Sequence, residues 1–131
     1  MSKKIINASN APAPIGPYNQ AVEVNGMLFI SGQIALIPGT DELQLSSIEA
    51  ETTQVMENLK AILTEAQLDF SNVIKTSIFL SDMNLFATVN TLYAAYFSSD
   101  FPARETVAVL GLPKGVHVEI HHHHNARCCS T

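Results

Sequence analysis

The chain has 131 residues, of which 47% are hydrophobic and 15% are charged, and its net charge is −5 at neutral pH. This length and composition predict one globular domain and exclude a disordered chain. Only seven residues are lysine or arginine, which counts against nucleic-acid binding because such proteins usually carry a basic stripe. No apolar run approaches the ~20 residues of a membrane span, and the N-terminus lacks the apolar region of a signal peptide. We therefore expect a cytoplasmic protein with neither nucleic-acid nor membrane partners.

Three strands are predicted in the first part of the chain. Residues 4–6 form a short strand, and the loop that follows is rich in proline, asparagine and glycine. Residues 18–25 form the second strand. The pair Asn25-Gly26 is a strong signal for a two-residue hairpin turn, so residues 27–33 (MLFISGQ) are expected to be the antiparallel partner.

Two helices and three more strands are predicted after residue 45. Hydrophobic periodicity predicts a helix over residues 48–67, which we expect to begin at a capping box of Ser46 and Glu49. Residues 73–81 are rich in β-branched and aromatic side chains and predict a strand. Asp82 is expected to cap a second helix over residues 85–97. The last two predicted strands cover residues 105–110 and 116–120.

The order of elements is therefore β-β-β-α-β-α-β-β, which predicts an α+β fold with two helices on one face of a mixed sheet. The opposite face of that sheet is left bare by a single chain. Burial by other subunits is the simplest way to cover it, so we expect an oligomer.

The C-terminal run HHHHNARCCST, residues 121–131, has an unusual composition. Four consecutive histidines lack the ligand spacing of a structural zinc site, so we predict no native metal site. The run resembles an affinity tag, and adventitious nickel or zinc binding is the functional alternative. Cys128 and Cys129 are accessible for crosslinking between chains. We expect a single domain over residues 1–120 and an atypical tail over residues 121–131.

Two charged residues near the end of the chain are candidates for chemistry. Arg104 stands between a helix stop and a predicted strand, where it is either a solvated surface residue or a clamp for a carboxylate. Glu119 alternates with Val118 and Ile120, so it is either an exposed strand residue or, if a subunit covers that face, a base that activates water. Val118 and Ile120 are expected to point into the core.

Four other residues are weaker candidates on pattern alone. Tyr18 lies at a loop-to-strand boundary, where a core tyrosine is the ordinary interpretation. Ser31 and Gly32 end a strand, and a glycine there lets a ligand approach the backbone closely. Asn90 lies inside the second predicted helix, where asparagine is mildly unfavourable, and it either faces solvent or lines a site.

The segments IGPYNQA, ISGQ, PARETVAV and LPKGVHVEI, in this order and spacing, resemble the RidA/YjgF family of reactive intermediate deaminases. The resemblance covers residues 3–120. It implies a chorismate-mutase-like fold that assembles as a homotrimer, with the three sheets forming a central barrel and three active sites in clefts between subunits. It also implies hydrolysis of 2-imino acids, such as 2-iminobutanoate and 2-iminopropanoate, to 2-oxo acids and ammonia, without a metal or organic cofactor.

The resemblance also implies roles for individual residues. Arg104 corresponds to the arginine that holds the substrate carboxylate, Glu119 to the acid that helps activate water, and Tyr18 to a tyrosine that lines the cleft. The remaining implied substrate-binding positions are Ser31, Gly32, Asn90 and the backbone around Thr106.

The chain departs from the family pattern in two places. Glu105 and Thr106 follow the arginine where many members have small residues, often including a cysteine, and strand alternation permits Glu105 to face away from Arg104. The histidine run replaces the apolar end of the last strand, which we expect to weaken that strand or the trimer. Two alternative functions stay open: a non-catalytic trimeric protein that binds small carboxylates, and a ribonuclease or translation inhibitor.

Overall fold

A computed structural model describes residues 2–125 of the chain. They form a six-stranded sheet with two helices, which confirms the α+β fold. In chain order the elements are β1 (Lys4–Ile6), β2 (Ala21–Val24), β3 (Met27–Gln33), α1 (Ile48–Glu65), β4 (Val73–Leu80), α2 (Phe86–Ala94), β5 (Ala103–Ala108) and β6 (Val118–Asn125). The strand order in the sheet is β1-β2-β3-β6-β4-β5, and only the β4–β5 pair is parallel.

The predicted hairpin joins β2 to β3. Asn25 and Gly26 have φ angles of 52° and 74°, both in the left-handed region that a type I′ turn requires. Val24 consequently pairs with Met27, and this register places Leu28 and Ile30 in the core. The Asn-Gly prediction is confirmed.

Helix α1 supplies much of the core through a continuous apolar face. Its buried hydrophobic residues are Val55, Met56, Leu59, Ile62 and Leu63. The predicted capping box is wrong, because the cap is one residue later. Ser47 has extended backbone and its hydroxyl accepts a hydrogen bond from Ala50 N at 3.0 Å, whereas the Ser46 hydroxyl donates to Gln44 Oε1 at 2.7 Å.

Helix α2 is shorter than predicted at both ends. Asp82 caps a single 3-10 turn over Met83–Leu85, accepting a hydrogen bond from Asn84 N, and the α-helix begins only at Phe86. The tighter 3-10 turn therefore takes the place of the expected first turn of the α-helix. β5 also begins earlier than predicted, at Ala103, so that Arg104 lies inside the strand.

β6 begins two residues later than predicted and runs past the expected boundary at residue 120. The histidine run continues the strand and pairs with both neighbours: His122 lies opposite Ile30 of β3 and Thr76 of β4. A strand alternates its side chains, so His122 and His124 enter the core while His121 and His123 lie on the open face. The run therefore continues the sheet to Asn125. The expected crosslinking of Cys128 and Cys129 lies outside the described residues.

The face of the sheet opposite the helices is open in the single chain. Phe29 and Val107 on this face are 42% and 41% exposed. Polar contacts also cross it, since Glu105 of β5 accepts hydrogen bonds from Lys75 Nζ at 2.7 Å and from the Ser77 hydroxyl of β4. Within residues 2–125 no helix combines the length and apolarity that crossing a membrane requires.

Candidate active site

Arg104 is held on the helix side of the sheet by an amide and two aromatic rings. Its guanidinium Nη1 donates to Asn90 Oδ1 at 2.7 Å, so α2 and β5 together orient it. The guanidinium carbon lies 5.2 Å from the centre of the Tyr93 ring and 5.6 Å from that of Phe86. The two rings stabilise the guanidinium through cation–π contacts, but they do not neutralise its positive charge. Among residues 2–125, Arg104 forms no ion pair with a carboxylate.

The guanidinium opens onto a cleft of about 430 Å³ between α2 and the start of β5. The Tyr93 hydroxyl donates to Thr76 Oγ1 at 2.8 Å, which fixes one wall of this cleft. Burial raises the pKa of Tyr93, so this ring stays neutral beside the arginine. A half-buried guanidinium without a carboxylate partner is suited to bind an anionic ligand through paired hydrogen bonds.

Thr106 lies two residues along β5, on the same side of the sheet as Arg104. Its hydroxyl is buried and has no hydrogen-bond partner among the described residues. In the described sheet β5 pairs only with β4, so it forms one edge of that sheet. An edge strand presents backbone N–H and C=O groups that a ligand or another chain can use. The packing of α2 against β5 brings Asn90, Arg104 and Thr106 around one small cavity.

Glu119 lines a second cavity, of about 360 Å³, between β6, β3 and the N-terminal loop. Its side chain is only 15% exposed, and its Oε2 atom lies 2.6 Å from Nε2 of His121. Tyr18, Ser31 and Gly32 line the same cavity, so four of the predicted residues meet here. The lining is mostly apolar, which strengthens the interaction of Glu119 with any polar group that enters.

The loop before β2 is fixed by hydrogen bonds that shape this cavity. Tyr18 is 45% exposed, and its hydroxyl accepts a hydrogen bond from Ile15 N at 3.2 Å, so it is a wall residue and not a core tyrosine. The Ser31 hydroxyl donates to Asn19 O at 2.6 Å, which anchors the end of the loop to β3.

Gly32 is the point at which β3 approaches the acid most closely. A Cβ atom placed on Gly32 would lie 2.6 Å from Glu119 Oε2 and 2.4 Å from His121 Nε2. No real Cβ tolerates such distances, so any side chain here displaces the Glu119–His121 pair. The glycine is required by close contact within the chain, in addition to any approach of a ligand.

The two groups of residues lie on opposite faces of the sheet. Arg104 pairs in register with Thr76 of β4, and Glu119 pairs with Phe79 of the same strand. Thr76 and Phe79 are three residues apart on one strand, so their side chains point in opposite directions. Arg104 and Glu119 therefore do not face one common cavity within a single chain.

Glu105 follows Arg104 in the chain, but its carboxylate does not face the Arg104 cleft. It faces the open side of the sheet, where its hydrogen bonds with Lys75 and Ser77 lower its pKa. The alternation of β5 thus separates Glu105 from the Arg104 cleft.

Sequence reasoning missed three polar residues that build or line the site. Buried Gln20 holds the N-terminal loop: its Oε1 accepts from Ala8 N at 2.6 Å and its Nε2 donates to Pro12 O at 2.8 Å. Buried Glu51 of α1 accepts from His117 N at 2.7 Å and Val118 N at 3.0 Å, which positions the start of β6. Its place four residues before Val55 on the apolar face of α1 was the available signal.

His121 is the third missed residue, and it forms part of the cavity itself. It follows Glu119 by two positions, so strand alternation alone places both side chains on one face. The interpretation of the histidine run as a tail concealed this signal. Because consecutive histidines alternate between faces, the run cannot gather its rings at one point, and residues 2–125 contain no cluster of three or more His, Cys, Asp or Glu side chains arranged to hold a metal ion.

Known proteins resemble this chain over nearly its whole length. The family model described as Endoribonuclease L-PSP matches residues 8–123. A RutC family protein of Synechocystis is 51% identical over 122 residues, which cover 92% of this chain and 94% of that protein. The mouse protein named 2-iminobutanoate/2-iminopropanoate deaminase is 46% identical over 118 residues, which cover 90% and 87% of the two chains.

Comparison with solved structures indicates the same family as the sequence comparison. The crystal structure of YyfA from Yersinia pestis, a protein of the conserved Rid family, superposes with a TM-score of 0.92 at 44% identity, covering 95% of this chain and 99% of that one. Sequence and structure agree over the strands and helices that hold Arg104 and Glu119. The chain therefore belongs to the RidA/YjgF family, whose family model bears the description Endoribonuclease L-PSP.

Proposed function

We propose that the protein hydrolyses reactive 2-imino acids, such as 2-iminobutanoate and 2-iminopropanoate, to 2-oxo acids and ammonia. The observation that carries the proposal is that one chain holds two chemically complementary groups in separate cavities: a guanidinium without a carboxylate partner among the described residues, and a mostly buried carboxylate in a largely apolar cavity. A 2-imino acid needs both, because its carboxylate must be held and its C=N carbon must meet water.

Arg104 binds the substrate carboxylate in this proposal. Its Nη1 already donates to Asn90, which leaves the other N–H groups of the planar guanidinium for two parallel hydrogen bonds to carboxylate oxygens. The Tyr93 and Phe86 rings hold the guanidinium plane in place, so little side-chain freedom is lost on binding. The buried Thr106 hydroxyl and the free edge of β5 supply hydrogen bonds near the imine.

Glu119 acts as the general base. One oxygen is bonded to His121, and the other accepts a proton from water as the water oxygen adds to the electrophilic C=N carbon. The imine nitrogen takes up a proton from solvent to give a carbinolamine. Glu119 then returns its proton to the nitrogen, the hydroxyl releases its own proton to solvent, the C–N bond breaks, and ammonia leaves as the C=O bond forms.

The opposite placement of the two half-sites requires two chains for each complete site. We propose a homotrimer in which the Arg104 cleft of one subunit meets the Glu119 cavity of its neighbour, around a barrel formed by the open sheet faces. Such a heterologous contact closes into a ring when the rotation is threefold. Exposed Phe29 and Val107 on the open face support its burial by other copies.

Complementation between two inactive variants tests this proposal. Arg104→Ala and Glu119→Gln are each expected to lose nearly all imine hydrolysis, measured with a threonine dehydratase that generates the imine and with 2-oxobutanoate followed over time. After co-refolding equal amounts, about one quarter of the sites in the whole population of trimers contain both native residues, because each site draws one residue from each of two chains chosen at random. Recovery of about a quarter of the wild-type rate supports the shared site.

Two results would contradict the proposal. Mixed trimers without activity, beside wild-type trimers refolded in the same way and active, would exclude a site shared between chains. Wild-type protein without turnover, but with a small carboxylate bound at Arg104, would favour the non-catalytic binding protein.

Ribonuclease activity is the second candidate, favoured by the description of the family model. The net charge of −5 and the small number of basic residues count against it, because RNA binding relies on neutralising phosphates. A preparation free of contaminating nucleases, assayed with Glu119→Gln as control, separates the two functions. RNA cleavage that disappears in this variant would support the second candidate.

A further inference from the structure

We infer that His121 is a positioning residue for Glu119, an inference that rests on the proposed deaminase function. The two side chains lie on the same face of β6, two residues apart, and His121 Nε2 is 2.6 Å from Glu119 Oε2. Both line the same cavity. The imidazole therefore contacts the proposed general base directly.

Besides Glu119, two neighbours hold the imidazole in place. The edge of the His121 ring meets the Phe79 ring of β4, with centroids 5.1 Å apart and planes at 78°. Gly32 of β3 lies beneath the pair and leaves space for it only because it lacks a Cβ atom. His121 is 35% exposed and Glu119 is 15% exposed, so the contact is shielded but reaches the cavity.

This geometry selects which carboxylate oxygen meets water. With Nε2 donating to Oε2, that oxygen has its partner, and Oε1 keeps its lone pairs for the water that attacks the imine. A carboxylate in a largely apolar cavity is restrained most strongly by such a charge-assisted hydrogen bond. His121 thus affects the rate of proton abstraction, while the substrate carboxylate is held elsewhere, by Arg104.

The kinetic test compares three variants of the intact trimer in the 2-oxobutanoate assay. His121→Ala is expected to lower kcat roughly 10- to 100-fold with KM changed less than about threefold, because a misplaced base loses part of the roughly 10²–10⁴-fold that general acid–base catalysis contributes. His121→Gln, whose amide can donate to the same oxygen, is expected to recover most of kcat. His123→Ala is the matched control, because His123 lies on the same strand and face but contacts Phe29 instead of Glu119.

A wild-type kcat in His121→Ala would overturn the inference, and so would a loss that appears in KM and not in kcat, or a Gln variant as slow as the Ala variant.

A measurement independent of turnover accompanies the kinetics. The ¹⁵N resonance of His121 Nε2 is expected to move in Glu119→Gln while that of His123 stays. An unchanged resonance would exclude the contact even if the enzyme is active, and a protein with no imine turnover would fail the deaminase proposal while leaving the contact measurable.

Discussion

Arg104 and Glu119 lie on opposite faces of one six-stranded sheet, because their partners on β4, Thr76 and Phe79, are three residues apart. Each residue has its own cavity and its own supporting contacts. A ligand that engages both must therefore be bound between chains. We therefore expect the Arg104 cleft of one chain to meet the Glu119 cavity of another.

Removal of the guanidinium should strongly weaken substrate capture. Arg104→Ala is expected to lower kcat/KM by about 30- to 5,000-fold, corresponding to the roughly 2–5 kcal/mol lost when one partner of a buried charge pair is truncated. Steady-state kinetics of imine hydrolysis measure the loss. Lys60→Ala, which removes an exposed positive charge from α1, is the control. Wild-type turnover in Arg104→Ala would remove this residue from the site.

A methyl group at Gly32 should lower activity much more than it lowers the stability of the fold. Gly32→Ala places a Cβ atom against Glu119 Oε2 and His121 Nε2, both of which are ends of movable side chains. We expect the pair to shift, with a fall in unfolding free energy below about 1 kcal/mol but a loss of kcat above roughly tenfold. Urea denaturation and kinetics on the same sample test it. Equal losses in Gly111→Ala, at a glycine with open space around it, would show that the effect is not local.

Glu51 should be the most important polar residue for stability. Its carboxylate accepts hydrogen bonds from His117 N and Val118 N and contacts His117 Nδ1, while its side chain is 1% exposed. Glu51→Ala leaves two backbone donors without partners, so we expect a loss of about 3 kcal/mol in the free energy of unfolding. His117→Ala removes only the side-chain contact and should cost under about 1 kcal/mol. A urea midpoint for Glu51→Ala equal to that of wild type would contradict this role.

The buried histidines should make the protein sensitive to acid. The ring nitrogens of His122 and His124 have no hydrogen-bond partner among residues 2–125. Burial lowers the pKa of His122 well below the ordinary value of 6.5 and that of His124 to about 3. Below pH 6.5 the unfolded chain binds protons that the folded chain does not, so stability is intact above this pH and falls as pH decreases towards 3. The slope is about 1.4 kcal/mol per pH unit for each histidine, or roughly 4 kcal/mol for both at pH 5.

Unfolding free energies between pH 8 and pH 5 measure this effect. The double variant His122→Leu/His124→Leu is expected to lose most of the slope, whereas His123→Leu, on the exposed face, should keep it. A wild-type stability that is flat over this range would show that the two rings find partners or solvent in the folded protein.

The order of strands and helices followed from local patterns, because each pattern acts over a few residues. The Asn25-Gly26 turn needs only two positive φ angles, and the periodicity of α1 needs only its own side chains. The errors were local too: Ser47 replaced Ser46 as cap, and a 3-10 turn took the place of the first turn of α2. Local patterns selected most of the candidate residues and the motif resemblance added their roles, but neither shows which candidates share a cavity.

The faces depend on strand pairing between distant segments. Arg104 and Glu119 are separated by the register of β5 and β6 against β4, which no local pattern encodes. The histidine run shows the same limit: its composition suggested a tail, but hydrogen bonds to β3 and β4 draw it into the sheet and bury alternate rings. Chain composition and short-range periodicity thus determine the elements, whereas the non-local pairing of strands determines which side chains share a cavity.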